Sequence, residues 1–258
     1  MHIQKHKIAV VGTAIAAIAI LTGLFSYRNP TRGNTYKTIK RTMDRKLFLC
    51  SSFADVATLF PTFAGEDMKG KSVAFIPTAS IHEEYRQYVE DGRRTLSGYG
   101  LKIVDLEISQ MPEKEIAHAL EACDYIYVSG GNTFFLLQEL RKKKADQLII
   151  REIEKGKTYI GESAGTMIMA PDIKYAKEMD NPLSLTPGFC DFTALGLINF
   201  YPVVHYNSFP FERETKNIIR KYTDLELVPI SNEQAIEVIW KSHSTLTLLG
   251  KQDCSLWP

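Results

Sequence analysis

The sequence predicts a doubly wound α/β fold, a mostly parallel sheet with helices on both faces and antiparallel edge strands near the carboxyl terminus. Two observations predict it. From Met43 onward, short apolar, β-branched runs alternate with amphipathic stretches, as strands do when crossover helices cover both sides of their sheet. In the last third, apolar runs succeed one another with only turns between them, as antiparallel strands do.

Each element follows from its own pattern. Buried-type strands are predicted over 46–50, 72–77, 101–106, 124–129 and 158–161, where β-branched and aromatic residues cluster between turn signals. Amphipathic helices are predicted over 54–63, 83–97, 113–122, 133–143 and 146–155. The runs 226–230, 235–241 and 245–250 complete the sheet as antiparallel edge strands. There is no internal repeat and no low-complexity tract, so residues 43–258 read as one domain.

Composition narrows the function classes. Over 258 residues the chain is 45% hydrophobic and 24% charged, which suits a globular protein and excludes fibrous or disordered classes. A net charge of +1, without a basic run interleaved with aromatics, offers nucleic acid no footprint. Cys50, Cys123, Cys190 and Cys254 are far apart and lack CxxC spacing, so reduced thiols in a cytosolic compartment are expected, with neither a zinc site nor a disulfide framework.

The first 42 residues form a separate extension. Residues 8–25 carry no charge and just reach the length a bilayer requires. Leu24-Phe25-Ser26-Tyr27 suits signal cleavage poorly, and Arg28, Arg32, Lys37, Lys40 and Arg41 follow the run. An anchor with a cytoplasmic catalytic domain is therefore expected, with membrane contact only through this segment. A dispensable extension ahead of a natural start at Met43 is the alternative.

Within the α/β pattern, Gly161-Glu162-Ser163-Ala164-Gly165 joins a strand to a helix-compatible run at 164–170. Small residues around a serine permit the tight strand-to-helix turn of a nucleophile elbow, and the helix start favours developing negative charge. One βα unit earlier, Ser129-Gly130-Gly131-Asn132 ends another strand. Adjacent strand ends meet at the carboxyl edge of an open sheet, and paired glycines let backbone N–H groups approach a substrate as an oxyanion hole needs. Plain Gly-Gly turn chemistry with an Asn cap is the competing explanation.

A serine nucleophile needs a base. His2 and His6 precede the apolar run, His82 and His118 lie in or beside surface helices, and His243 lies in a polar turn. His205 ends the strand-like run Ile198-Asn199-Phe200-Tyr201-Pro202-Val203-Val204 and so comes to the same edge. An orienting acid is expected between serine and histidine, with Glu178 and Asp180 as candidates and Asp172 and Asp191 behind them.

Ser129-Gly130-Gly131-Asn132-Thr133, Gly161-Glu162-Ser163-Ala164-Gly165 and Val204-His205-Tyr206, in this order and spacing, resemble the dipeptidase E family of serine peptidases. The resemblance spans Met43 to about the carboxyl terminus. It implies a class I glutamine amidotransferase-like fold and a Ser163–His205 pair served by Glu178 or Asp180. It further implies an oxyanion hole from Gly130, Gly131 and Ala164, with no metal or organic cofactor. The implied substrate is a short peptide with an amino-terminal acidic residue, met by Asn132, Glu162, Lys216 and Arg213. Lys216 stands where the family has arginine, and Glu162 replaces a bulkier aromatic, so strict aspartate specificity is not expected. Two other readings are open at this point. GESAG also occurs in carboxylesterases, although no HGGG loop is present and His205 follows 42 residues after Ser163. A binding module without catalysis is equally compatible with the fold.

Overall fold

The structure, a computed structural model, describes residues 45–240 and 244–250. The apolar run 8–25 and Cys254 lie outside them. Among the described residues no helix is long and apolar enough to cross a membrane.

Five parallel strands form the centre of the molecule: β1 (Arg45–Cys50), β2 (Ser72–Ile76), β3 (Lys102–Asp105), β4 (Tyr125–Val128) and β5 (Thr158–Glu162). They stand in the order β3-β2-β4-β5-β1, so the chain crosses from β1 out to β2 and β3 and then winds back through β4 to β5 beside β1. Short αhelical segments connect or follow them: α1 (Phe60–Ala64), α2 (Gln87–Gly98), α3 (Glu113–Ala122), α4 (Thr133–Lys142), α5 (Ala145–Glu154) and α6 (Ala164–Met167). The predicted helix over 54–63 is reduced to a 3-10 turn at Ala57–Leu59 and the five residues of α1, because Pro61 and Gly65 bound it.

Successive strand residues divide between two cores, as the period of two requires. Leu47, Leu49, Ala74, Ile76, Ile126, Val128 and Tyr159 face the larger core against α3 to α6. Phe48, Cys50, Val73, Phe75, Tyr125, Tyr127 and Ile160 face the smaller one, which is dense in aromatic rings. There Phe48 meets Phe53, Phe60 and Phe63 at centroid distances of 6.2, 5.4 and 5.4 Å. These edge-on and tilted pairings are the favoured aromatic geometries.

Beyond β5 the chain runs through a turn of 3-10 helix at Lys174–Glu178, then α7 (Pro182–Leu185), β6 (Tyr201–Val203), α8 (Glu212–Lys221), β7 (Leu227–Pro229), β8 (Gln234–Trp240) and β9 (Ser244–Gly250). Strands β8 and β9 extend the main sheet antiparallel next to β1, as predicted. The run 226–230 does not. It forms β7, which pairs in parallel with β6 in a separate two-stranded sheet. Its role is to carry the residue after β6 to the active edge, through Ile230 N–H to the Val203 carbonyl at 3.0 Å and Tyr206 N–H to the Ile230 carbonyl at 2.9 Å.

Candidate active site

Strand β5 delivers Ser163 through a tight turn flanked by Gly161 and Gly165. Ser163 has φ 47° and ψ −106°, a conformation that non-glycine residues rarely adopt, and its N–H is held by the Cys50 carbonyl at 2.9 Å. A Cβ on Gly161 would lie 2.7 Å from the Gly165 oxygen, and one on Gly165 would lie 2.2 Å from the Val128 oxygen. The two glycines therefore let α6 start directly above β5 and β4. Thr166 fixes the turn further, since its hydroxyl lies 2.8 and 2.7 Å from the carbonyl oxygens of Cys50 and Gly161 and accepts the Cys50 N–H at 3.0 Å.

His205 follows β6 with φ 59°. Its N–H donates to the Ser51 hydroxyl at 2.9 Å, and that hydroxyl donates to the Ile230 carbonyl at 3.1 Å, which ties the histidine to the ends of β1 and β7. Its Nε2 lies 2.9 Å from Ser163 Oγ and its Nδ1 lies 2.7 Å from Asn232 Oδ1. An amide oxygen only accepts, so the Nδ1 nitrogen carries the proton and Nε2 presents its lone pair to the serine. Burial pushes the imidazole below its ordinary pKa of 6.5, partly offset by the Asn232 bond, so at neutral pH it is an uncharged base. Phe211 covers it, with ring centroids 5.2 Å apart.

The orienting group is thus not the carboxylate expected between serine and histidine. Glu178 ion pairs with Lys221. Asp180 Oδ2 accepts the Thr133 N–H at 2.8 Å, which caps the start of α4 instead of touching His205. Burial raises Asp180 to about 6, against the lowering effect of its Thr133 bonds. Asp172 bonds locally to the Lys174 N–H, and Asp191 sits at the surface beside Arg141. Sequence reasoning missed Asn232 because it sought an acid before the histidine. The signal that finds it is topological. Strand β8 runs antiparallel to β1 with Ala235 opposite Cys50, so the polar turn just before β8 necessarily reaches the edge where β1 ends.

The glycine turn after β4 lies against the serine. A Cβ on Gly130 would lie 3.0 Å from Ser163 Cβ and 3.3 Å from the Tyr88 ring. Gly131 has φ 129°, and a Cβ there would come within 2.3 Å of the Ala79 carbonyl. Asn132 works as the cap of α4, accepting the Phe135 N–H at 2.9 Å, and does not line the pocket. Glu162 is buried beneath Ser163, where it accepts from the Phe53 N–H at 2.8 Å and the Tyr127 hydroxyl at 2.6 Å. Being one residue past Gly161 in register, it falls on the aromatic face with Tyr127 and Ile160. Burial raises its pKa to about 7, against the lowering effect of those hydrogen bonds and of one from the Gly130 N–H.

The resulting cleft, of about 370 Å³, is lined by Ser163, His205, Asn232 and both glycines, with aromatic walls from Tyr85, Tyr88, Phe209 and Phe211. Lys216 and Arg213, expected to meet an acidic side chain, are exposed on α8 and do not line it, and Arg213 bonds Glu214. Among the described residues no group of three or more His, Cys, Asp or Glu side chains is arranged to hold a metal ion.

Comparison with known proteins agrees with the geometry. The family model described as peptidase family S51 matches residues 47–246. An uncharacterized peptidase of Pasteurella multocida is 52% identical over 195 residues, covering 75% of this chain and 93% of that protein. Peptidase E of Shewanella amazonensis is 33% identical over 185 residues, covering 69% and 74%. The crystal structure of a candidate peptidase E protein from Listeria monocytogenes EGD-e superposes with a TM-score of 0.74 at 43% identity, covering 80% of this chain and all of that one. The match takes in both the glycine turn and the serine elbow, and with it the chain belongs to peptidase family S51.

Proposed function

We propose that this chain is a serine peptidase that hydrolyses short peptides through a covalent acyl enzyme. The observation that carries the reading is the 2.9 Å contact between Ser163 Oγ and the acceptor nitrogen of His205, at the apex of a strained strand-to-helix turn. His205 Nε2 takes the hydroxyl proton as Ser163 Oγ attacks the peptide carbonyl carbon. The amides of Gly131 and of Ala164 stabilise the oxyanion, the Gly130 N–H being held by the Glu162 carboxylate. His205 then returns the proton to the leaving amine, the acyl enzyme forms, and water attacks it by the same route in reverse. Asn232 keeps the proton on Nδ1 throughout the resting state and carries no charge, so the imidazolium formed in the transition state is hydrogen-bonded to a dipole, with the Asp55 carboxylate acting on it only through its charge.

The resemblance to dipeptidase E favoured substrates with an amino-terminal acidic residue. Nothing in the lining of the cleft supports that preference, since the two cations offered for it lie outside. The cleft's size and aromatic walls favour peptides of a few residues over folded proteins. The experiment is labelling with a fluorophosphonate probe followed by hydrolysis of a dipeptide panel. Labelling that disappears in Ser163→Ala, together with loss of turnover in that variant, supports a serine peptidase; an unlabelled wild-type protein makes it a binding module.

A further inference from the structure

The cleft is one-sided in charge. Glu83, Glu162 and Asp180 line it, and among the described residues no lysine or arginine does. Glu162 is occupied beneath the serine, but the other two carboxylates belong to the cleft wall and are not used by the mechanism above. Glu83 accepts a hydrogen bond from the Tyr88 hydroxyl, and the Tyr88 ring lies against Gly130, the residue that faces Ser163. Asp180 is held on the Thr133 N–H, two residues beyond Gly131 on the same turn. Two separate tethers thus bring two carboxylates to the turn beside the nucleophile. Arg86, whose charge reaches Glu83, is exposed and outside the cleft. Carboxylates in a partly desolvated wall are costly without a positive partner, and the wall itself supplies none.

We propose, resting on the serine peptidase reading, that Glu83 and Asp180 form a seat for the α-ammonium group of the substrate, which makes the enzyme an aminopeptidase-type dipeptidase for neutral first residues rather than acidic ones. The α-nitrogen of an amino-terminal residue is two bonds from the scissile carbonyl carbon. A group that sits at Ser163 therefore holds its ammonium next to the Gly130–Thr133 turn, where both carboxylates are tethered. An aspartyl side chain would add a further negative charge to a wall that already holds two, whereas a small or apolar side chain meets Tyr85, Met179 and Phe209.

The test is binding to the full-chain Ser163→Ala protein, measured by calorimetry with alaninamide, N-acetylalaninamide, the α-amide of aspartate and Nα-acetyl-lysinamide. Alaninamide is expected to bind roughly 10- to 100-fold more tightly than its acetylated form, the range for a charge-assisted hydrogen bond. The aspartate amide should bind more weakly than alaninamide. Adding Glu83→Gln, which preserves shape and leaves the Asp180 helix cap intact, should remove most of the preference for the free amine. Equal binding of free and acetylated amides, absence of binding by all four, tighter binding of the aspartate amide, or an unchanged preference in Glu83→Gln would overturn the proposal. Retained binding of Nα-acetyl-lysinamide would also overturn it, since the seat would then read a side-chain amine. Because this variant lacks the nucleophile, the outcome is independent of fluorophosphonate labelling of the wild-type protein, and either result can fail alone.

Discussion

Ser163 and His205, whose side chains meet at 2.9 Å, both have positive φ, 47° and 59°, although neither is glycine. Such conformations cost on the order of 1–3 kcal/mol each and persist only where surrounding structure holds them. The Cys50 carbonyl, the Ser51 hydroxyl and Thr166 supply that restraint here. Ser163→Gly should therefore trade function for stability. It removes turnover completely while relieving the strained backbone by about 1–2 kcal/mol, seen as a melting temperature some 2–6 °C higher. A fall in melting temperature for Ser163→Gly would show that the serine side chain stabilises the turn more than its backbone strains it.

Asn232 sets the protonation of the pair. Asn232→Ala should lower kcat/KM by about 10- to 100-fold through loss of tautomer and orientation, with little change in melting temperature. Asn232→Asp is the more informative variant. A carboxylate 2.7 Å from Nδ1 favours the imidazolium, so the His205 pKa moves upward from its depressed position. The acidic limb of the pH profile of kcat/KM, expected below pH 6.5 in the wild type, should shift to higher pH in Asn232→Asp. An unmoved limb would mean that this profile does not report His205.

The parts of this site that the sequence discloses are those governed by local geometry. Strand β5 and its serine turn are legible because Gly161 and Gly165 flank a serine after a fully buried run, and neither position has room for a Cβ. The glycine pair after β4 is legible for the same reason. What is not legible depends on where separate elements meet. Asn232 reaches His205 because β8 turns back beside β1, and 226–230 leaves the main sheet because β6 offers it a parallel partner. Glu162 reads as a carboxylate facing substrate until strand register places it under Tyr127 and Phe53. Lys216 and Arg213 sit near the histidine in sequence, but α8 turns them to solvent.

Close backbone approach makes a second stability prediction. Gly165→Ala would place a methyl 2.2 Å from the Val128 oxygen, which is rigid strand backbone, so α6 would have to lift from the sheet. A loss of at least about 3 kcal/mol is expected, with failure to label at Ser163. Gly98→Ala is the control. It ends α2 with nothing within 4 Å of the added carbon, and it should be neutral or stabilising by up to about 1 kcal/mol. Denaturant midpoints for the two variants separate a packing role for glycine from a general effect of added methyls.

The buried carboxylate of Glu162 predicts how stability depends on pH. Its pKa is raised from 4.5 to about 7 in the folded protein, chiefly by burial. Between those values the native chain keeps a proton that the unfolded chain has released, so stability contributed by this group is full below about pH 4.5 and is lost as pH rises through 7. The loss is on the order of 3 kcal/mol. Asp180, raised to about 6, acts in the same direction over a lower window, and Glu83 is also raised. Comparison with Glu162→Gln isolates one group from the others, since glutamine keeps the shape and a hydrogen-bonding carbonyl for the Phe53 N–H but does not titrate. The difference in unfolding free energy, variant minus wild type, should become steadily more favourable to the variant from pH 5 to pH 8 in urea titrations. A difference that stays constant across that range would mean that Glu162 ionises normally in the folded protein, and that Tyr127 and Phe53 stabilise its charge well enough to cancel its burial.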